Sequence, residues 1–471
     1  MRKLITFIFV LFLTLSLSSC NNDKESKTRT LTIHNVEEYI DESLLDDFVK
    51  YHEEKYHEKI EVIYTTFATN ETMLNNLKTG KTQYDLICPS DYTIQKMIKE
   101  DMLIKFEMNE DNISYKNIPN YNNFASPYIK NLFISKEWQE YAVPYMWGTL
   151  GLIYNTETIK NHEDMHSWLS LWDKEYYKQF TIKNSVRDTY FVGTVDAYYD
   201  ELMAAKEVYE ESGDHVAYNK RVTEIFNYCK DENIKKIEKS LIELKNNAFG
   251  LEVDSGKTDV STGKIDINFA WSGDAVYAIE LAEKNGISLN YAIPKEGSNV
   301  WFDGWVMPKG ADRELAERFV DFLCDPANAV RNMDEIGYTS AIAGEDVFNY
   351  VKDSYEGDGE NLIDFDLSYF FNGTLSDEIT PIIKINEEDR YIISAQYPTE
   401  EETYRCAIME DYGEQNTEVL KMWSRIKVIE VPIFIYIITL GLVVLLVGLY
   451  VFHKIHKNAI RKKRMQMHKN N

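Results

Sequence analysis

Seven short stretches set an aromatic ring beside a carboxylate, a hydroxyl or another ring. They are "NVEEYID" with Tyr39, "CPSDY" with Ser90, Asp91 and Tyr92, "VPYMWGT" with Trp147, "NSVRDTYF" with Asp188, "FAWSGDAVY" with Trp271 and Asp274, "NVWFDGW" with Trp301 and Asp303, and "IGYTSA" with Tyr338. Each alone fits an ordinary core, because a tryptophan in an apolar strand normally packs. Their recurrence points to cation capture. A ring face attracts an ammonium group by about 0.5–2 kcal/mol, and an ionised carboxylate adds a charge-assisted hydrogen bond. In an extended strand Trp301, Asp303 and Trp305 share one face, with Phe302 and Val306 on the other. Asp303 is then a carboxylate among rings, costly unless a positive group pairs with it. A cleft that gathers several such pairs suits a small organic polycation.

Other chemical patterns fail on context. "HEDMH", His162 to His166, has the spacing of a zinc-peptidase motif, which needs both histidines one turn apart on a helical face. Ser167 reads as the N-cap of a following helix that carries Trp168, Leu169 and Trp172, so the motif falls in the loop before it. "GLEVDSGKT" has five residues between its glycines where a phosphate-binding loop has four, and no apolar strand leads in. No nucleophile-elbow or dinucleotide-binding pattern is present. The expectation is therefore a binding protein without catalysis, metal or cofactor.

The elements that must position these residues alternate. "LTIHN", "KIEVIYTTF" and "YDLICP" read as strands, separated by helices over "DESLLDDFVKYHEE" and "NETMLNNLKTG" and followed by one over "YTIQKMIKEDML". Strand and helix alternating with short joins indicates parallel α/β layering. Ligands in such sheets sit at the carboxyl ends of strands. The middle repeats the style through "LGLIYN", "FTIKN" and "IDINFAWSGDAVYAIELAEKNG". "ADRELAERFVDFLCDP" places Leu315, Phe319, Phe322 and Leu323 on the inner side of a helix.

At 471 residues two lobes are the natural expectation. Between residues 21 and 453 there are 42 basic against 77 acidic residues, a balance that repels nucleic acid and attracts cations. The amino-terminal "MRKLITFIFVLFLTLSLSSC" has the layout of a signal peptide. Residues 431–452 carry no charge and are long enough to span a bilayer. The basic tail at 453–471 then places the carboxyl terminus in the cytoplasm. The expected location is the cell membrane, with the acidic body outside. Cys88, Cys229, Cys324 and Cys406 show no metal-like spacing and are expected to be free, mostly buried thiols.

Taken together, "NVEEYIDESLLDDF", "YTTFATNETMLNNLKTGKTQYDLICPSDYTIQKM", "VPYMWGTLGLIYN", "SWLSLW", "FAWSGDAVYA", "YAIPKEGSNVWFDGWVMPKGA" and "DFLCDPANAVRNMDEIGYTSA" resemble the spermidine/putrescine-binding proteins, the lipoprotein substrate receptors of polyamine ABC importers. The resemblance spans about residues 31 to 424. It implies an α/β, two-lobed fold of the periplasmic-binding-protein type II, here with an added carboxy-terminal transmembrane helix. The expected organisation is a lipoprotein signal peptide at 1–20 with Cys20 lipidated, and a tether at 21–30. Lobe 1 covers 31–143 and 302–345, and lobe 2 covers 144–301 and 346–427. A transmembrane helix at 431–452 and a cytoplasmic tail at 453–471 follow.

By the same resemblance, Tyr39, Tyr92, Trp271, Trp301 and Tyr338 flank the methylene chain of a polyamine, while Asp303, Asp188 and Ser90 hold its amino groups. Val36, Ser185 and Met409 depart from the family pattern, and Asp91 and Asp274 are the carboxylates placed to compensate. The implied partners are a small-molecule polyamine, the ABC permease subunits with their ATPase, and the membrane, with no nucleic acid and a monomeric state. A membrane-anchored sensor or scaffold with the same fold, and a zinc peptidase acting through "HEDMH", stand as alternatives.

Overall fold

The computed structural model describes residues 28–80, 82–359, 361–427 and 433–467. The signal peptide, Cys20 and most of the tether lie outside them. The chain divides into two compact units after Leu420. In chain order the strands are β1 (Arg29–Val36), β2 (Ile60–Phe67), β3 (Leu86–Ile87), β4 (Leu103–Ile104), β5 (Ala142–Asn155), β6 (Phe180–Lys183) and β7 (Gly250–Glu252). They continue with β8 (Ile267–Trp271), β9 (Leu289–Ala292), β10 (Ser298–Pro308), β11 (Thr339–Ser340), β12 (Leu362–Asp366), β13 (Ile382–Asn386) and β14 (Cys406–Ala407). All but β12 and β13, which pair antiparallel with each other, join one sheet of backbone order β2-β1-β3-β10-β5-β8-β6-β7.

The alternation expected of the amino-terminal half holds, and its chemistry is local. The Thr69 side chain accepts the amide of Thr72 at the start of helix Asn70–Thr79, and Gly80 ends it at φ +63°. β1 pairs parallel with both β2 and β3. Helix Ser43–Tyr56 buries Leu44, Phe48 and His52, and helix Arg313–Leu323 buries Leu315, Phe319, Phe322 and Leu323.

β5 and β10 hold the halves together. Both are buried along their whole length. They pair antiparallel from Thr149 opposite Val300 to Ala142 opposite Val306. Beyond Thr149, β5 leaves β10 and pairs with β8 and β9 instead. The register shifts between Asp303 and Gly304, where the partner steps from Met146 to Pro144. That bulge re-aims the side chains on either side of it.

Two expectations change. "HEDMH" and the following "WLSLW" form 3-10 helices rather than a loop and an α-helix. Ser167 does cap the second, accepting the amide of Leu169. Helix Asp231–Asn247 precedes "GLEVDSGKT" and β7 covers the motif's own first three residues, Gly250–Glu252, so no apolar strand leads in, as expected. The membrane span is corrected too: among the described residues no helix is long and apolar enough to cross a membrane.

Candidate functional site

The register shift at Asp303 brings β10 against the loop that precedes helix Asp91–Lys99. Ser90 and Asp303 form an isolated antiparallel bridge, and the Gly304 amide donates to the Pro89 carbonyl at 3.2 Å. Asp303 is 7% exposed. The Tyr39 hydroxyl donates to its Oδ2 at 2.7 Å, and its Oδ1 has no partner. Burial pushes this carboxyl up to about 6, against the Tyr39 hydrogen bond and the adjacent Ser90 side chain, which favour the ionised form.

Asp91 sits in the first turn of its helix and is 1% exposed. Its Oδ1 accepts the Tyr92 amide at 2.6 Å, while Oδ2 has no partner. Burial holds this carboxyl well above the carboxylate range, and the charge of Asp303 adds to the effect. Two buried carboxylates thus stand within electrostatic reach of each other, each with one unsatisfied oxygen. Such a pair draws either a proton or a cation.

Rings frame the pair. Tyr39 meets Tyr338 edge-on at 5.0 Å, and Tyr338 meets Trp301 edge-on at 5.7 Å. Two glycines leave room for these rings. A Cβ on Gly273 would stand 2.3 Å from the Tyr338 ring, and one on Gly148 would stand 2.6 Å from the Trp301 indole. Trp305 lies below the site, buried against Tyr145 at 4.9 Å. Trp147 is core, stacked with Phe370.

The remaining sequence-derived residues already have partners in the chain. Asp274, in the first turn of helix Ser272–Lys284, accepts Lys183 Nζ at 2.8 Å and the Tyr338 hydroxyl at 3.1 Å. Lys183 is fully buried, 3.3 Å from Glu252 and 4.2 Å from the centre of the Trp271 ring. Asp188 lies in the first turn of helix Val186–Ala197. Burial raises its carboxyl, opposed by Ser185, Trp271, Lys183 and Arg187. The Arg187 guanidinium stacks on Tyr92 at 4.6 Å and on Tyr412 at 3.7 Å, and donates to the Glu410 carbonyl at 2.6 Å. The Tyr92 hydroxyl donates to Glu71, a carboxylate that burial also raises.

Sequence reasoning missed Glu71, Lys183, Arg187 and Lys257. The last pairs with Asp254 at 2.7 Å and with Glu38 at 3.6 Å. The signal that could have found Lys183 is its place at the end of an otherwise apolar strand, "FTIK", where a charge needs a buried partner. "HEDMH" takes no part in the site. His162 Nε2 bonds the Thr156 carbonyl, His166 packs on Tyr391, and among the described residues no cluster could hold a metal ion. The four described cysteines are free, three of them buried.

Comparison with known proteins gives a family. Residues 47–347 match the family described as bacterial extracellular solute-binding protein. A spermidine/putrescine-binding periplasmic protein of Salmonella typhimurium is 30% identical over 318 residues, 66% of this chain and 78% of that protein. The putrescine-binding periplasmic protein SpuD of Pseudomonas aeruginosa is 28% identical over 324 residues, 67% of this chain and 79% of its own length. The fold agrees with the PotD substrate-binding protein of Streptococcus pneumoniae, with a TM-score of 0.56 at 24% identity over 85% of this chain and 99% of that one. The Tp0655 lipoprotein of Treponema pallidum gives 0.57 at 18% identity over 84% and 99%. These neighbours establish the two-lobed binding-protein fold. The relatives are periplasmic by name, and no described helix can cross a membrane. The expected location at the membrane with a cytoplasmic tail is corrected accordingly.

Proposed function

The chain belongs to the bacterial extracellular solute-binding proteins, and we propose that it is the substrate-capturing component of a polyamine ABC importer. In this reading it takes up putrescine or spermidine between its lobes and delivers the ligand to a membrane permease. The lobes are 31–143 with 302–345, and 144–301 with 346–427, so that β5 and β10 carry the chain between them. The relatives named for spermidine and putrescine support the ligand class.

One observation carries the reading within this chain. Asp303 and Asp91 each keep a buried oxygen without a partner, beside the rings of Tyr39, Trp301 and Tyr338. An ammonium group placed there would satisfy both oxygens and face the rings with its adjoining methylenes. Ser90, hydrogen-bonded to Asn70 through both its amide and its hydroxyl, fixes the loop that presents Asp91. Closure of the lobes replaces the ammonium's water by these groups.

Calorimetry of the purified chain with putrescine, spermidine and spermine tests the proposal. Micromolar or tighter binding of at least one supports it. Absence of both heat and thermal stabilisation with all three rejects it.

A further inference from the structure

Two of the ring faces that the sequence offers to a ligand already carry a cation of the chain. The Lys183 ammonium lies over Trp271 and between the carboxylates of Asp274 and Glu252, with a third hydrogen bond to the Val253 carbonyl at 3.1 Å. This is the set of partners a ligand ammonium would seek: one ring face, two carboxylates and a carbonyl. The Arg187 guanidinium occupies Tyr92 in the same way. Both internal cations act on Asp188, which stands beside Trp271. Asp91 and Asp303 each keep a fully buried carboxylate oxygen without a partner.

We propose that Lys183 is a built-in occupant of one ammonium subsite, so that the site accepts a short diamine and discriminates against longer triamines and tetraamines. The inference rests on the polyamine reading above. One ligand ammonium sits at Asp91 and Asp303, and the methylene chain runs along Trp301 and Tyr338. Tyr338 donates to the same Asp274 that holds Lys183, so a ligand following these rings arrives at the resident ammonium. A second ligand ammonium is accommodated short of it, near Asp188. A third meets Lys183 and is repelled.

The test compares 1,4-diaminobutane with spermidine on the full chain by calorimetry, in the parent and in Lys183→Ala. The parent is expected to bind the diamine at least tenfold more tightly. Lys183→Ala vacates a pocket lined by Asp274, Glu252 and Trp271, and its preference is expected to move toward spermidine by tenfold or more. Where the single variant does not fold, Lys183→Ala/Glu252→Gln removes one charge of each sign, and the same shift is expected. A parent that binds spermidine as tightly as the diamine overturns the inference whatever the variants do. So does a preference that neither variant moves. Failure of the parent to bind either compound rejects the polyamine reading itself, and the inference with it.

Discussion

Tyr39 donates its hydroxyl to one oxygen of Asp303 at 2.7 Å, while the other oxygen of the same carboxylate, itself buried, is left without a partner. Half of the charge is thus held in place and half is offered. The 5.0 Å edge-on contact with Tyr338 and the bond from the Tyr145 hydroxyl to the Tyr39 carbonyl keep Tyr39 from turning away. A carboxylate so fixed loses little freedom when a cation arrives, and preorganisation of that kind supports affinity.

Asp303→Asn is expected to weaken polyamine binding by about 1.5–3 kcal/mol, the worth of a hydrogen bond to a charged group, or roughly 10- to 150-fold. The fold should not suffer. An amide of the same shape removes a buried charge that lacks a full set of partners. Melting temperature and calorimetry read the two effects separately. An affinity equal to the parent's would assign Asp303 a structural role.

Acidity should act through the same group. Asp303 titrates near 6, above the usual carboxylate value because of burial. Below that point a bound proton competes with the ligand, so affinity should fall about tenfold from pH 7 to pH 5. The linkage to stability has the opposite sign to a salt-bridged aspartate. The folded state holds the proton more tightly than the unfolded chain, so the stability Asp303 contributes is present at low pH. It is lost as pH rises from about 4 to about 6. The ligand-free parent should therefore weaken relative to Asp303→Asn across that window, by about 2–3 kcal/mol for a shift of about two pH units. Chemical denaturation of both proteins at pH 4, 5, 6 and 7 measures the difference.

Gly273 and Tyr338 separate packing from hydrogen bonding. Gly273→Ala puts a methyl group 2.3 Å from the Tyr338 ring, so the ring must move and ligand affinity should drop at least tenfold. Tyr338→Phe keeps the ring and removes only the bond to Asp274, which retains Lys183. It should cost about 0.5–1.5 kcal/mol of stability and leave binding within about threefold of the parent. A larger loss for Tyr338→Phe than for Gly273→Ala would show that the hydroxyl, not the ring position, matters to the ligand.

What the sequence made legible follows physical range. β3, β5 and β10 stand out because both their faces are buried, and helix starts are marked by side chains such as Thr69 and Asp312 that bond amides three residues on. Asp303 and its neighbouring rings could be picked out because they share one strand. The partners of the internal cations could not. Lys183 and Asp274 are 91 positions apart, and Arg187 meets Tyr92 and Tyr412 from distant parts of the chain. No local pattern records such pairings. The 3-10 windings of "HEDMH" and "WLSLW" escaped for a different reason, since a few residues carry too little periodicity to distinguish the two helix types.

Asp91 and Asp303 should behave as one unit. If both unsatisfied oxygens take the same ammonium, removing either leaves the cation one charged partner, and removing both leaves it none. In either single variant the new amide side chain can donate to the remaining carboxylate, which partly satisfies it without a ligand. The single variants are therefore expected to lose about 1.5–3 kcal/mol each, while the double variant loses less than the sum by at least about 1 kcal/mol, the usual size of coupling between groups that share a partner. Titration of the four proteins with one diamine closes the cycle. Additive losses would place the two carboxylates on separate ammonium groups, and a neutral Asp91→Asn would leave Asp303 as the sole anchor of the ligand.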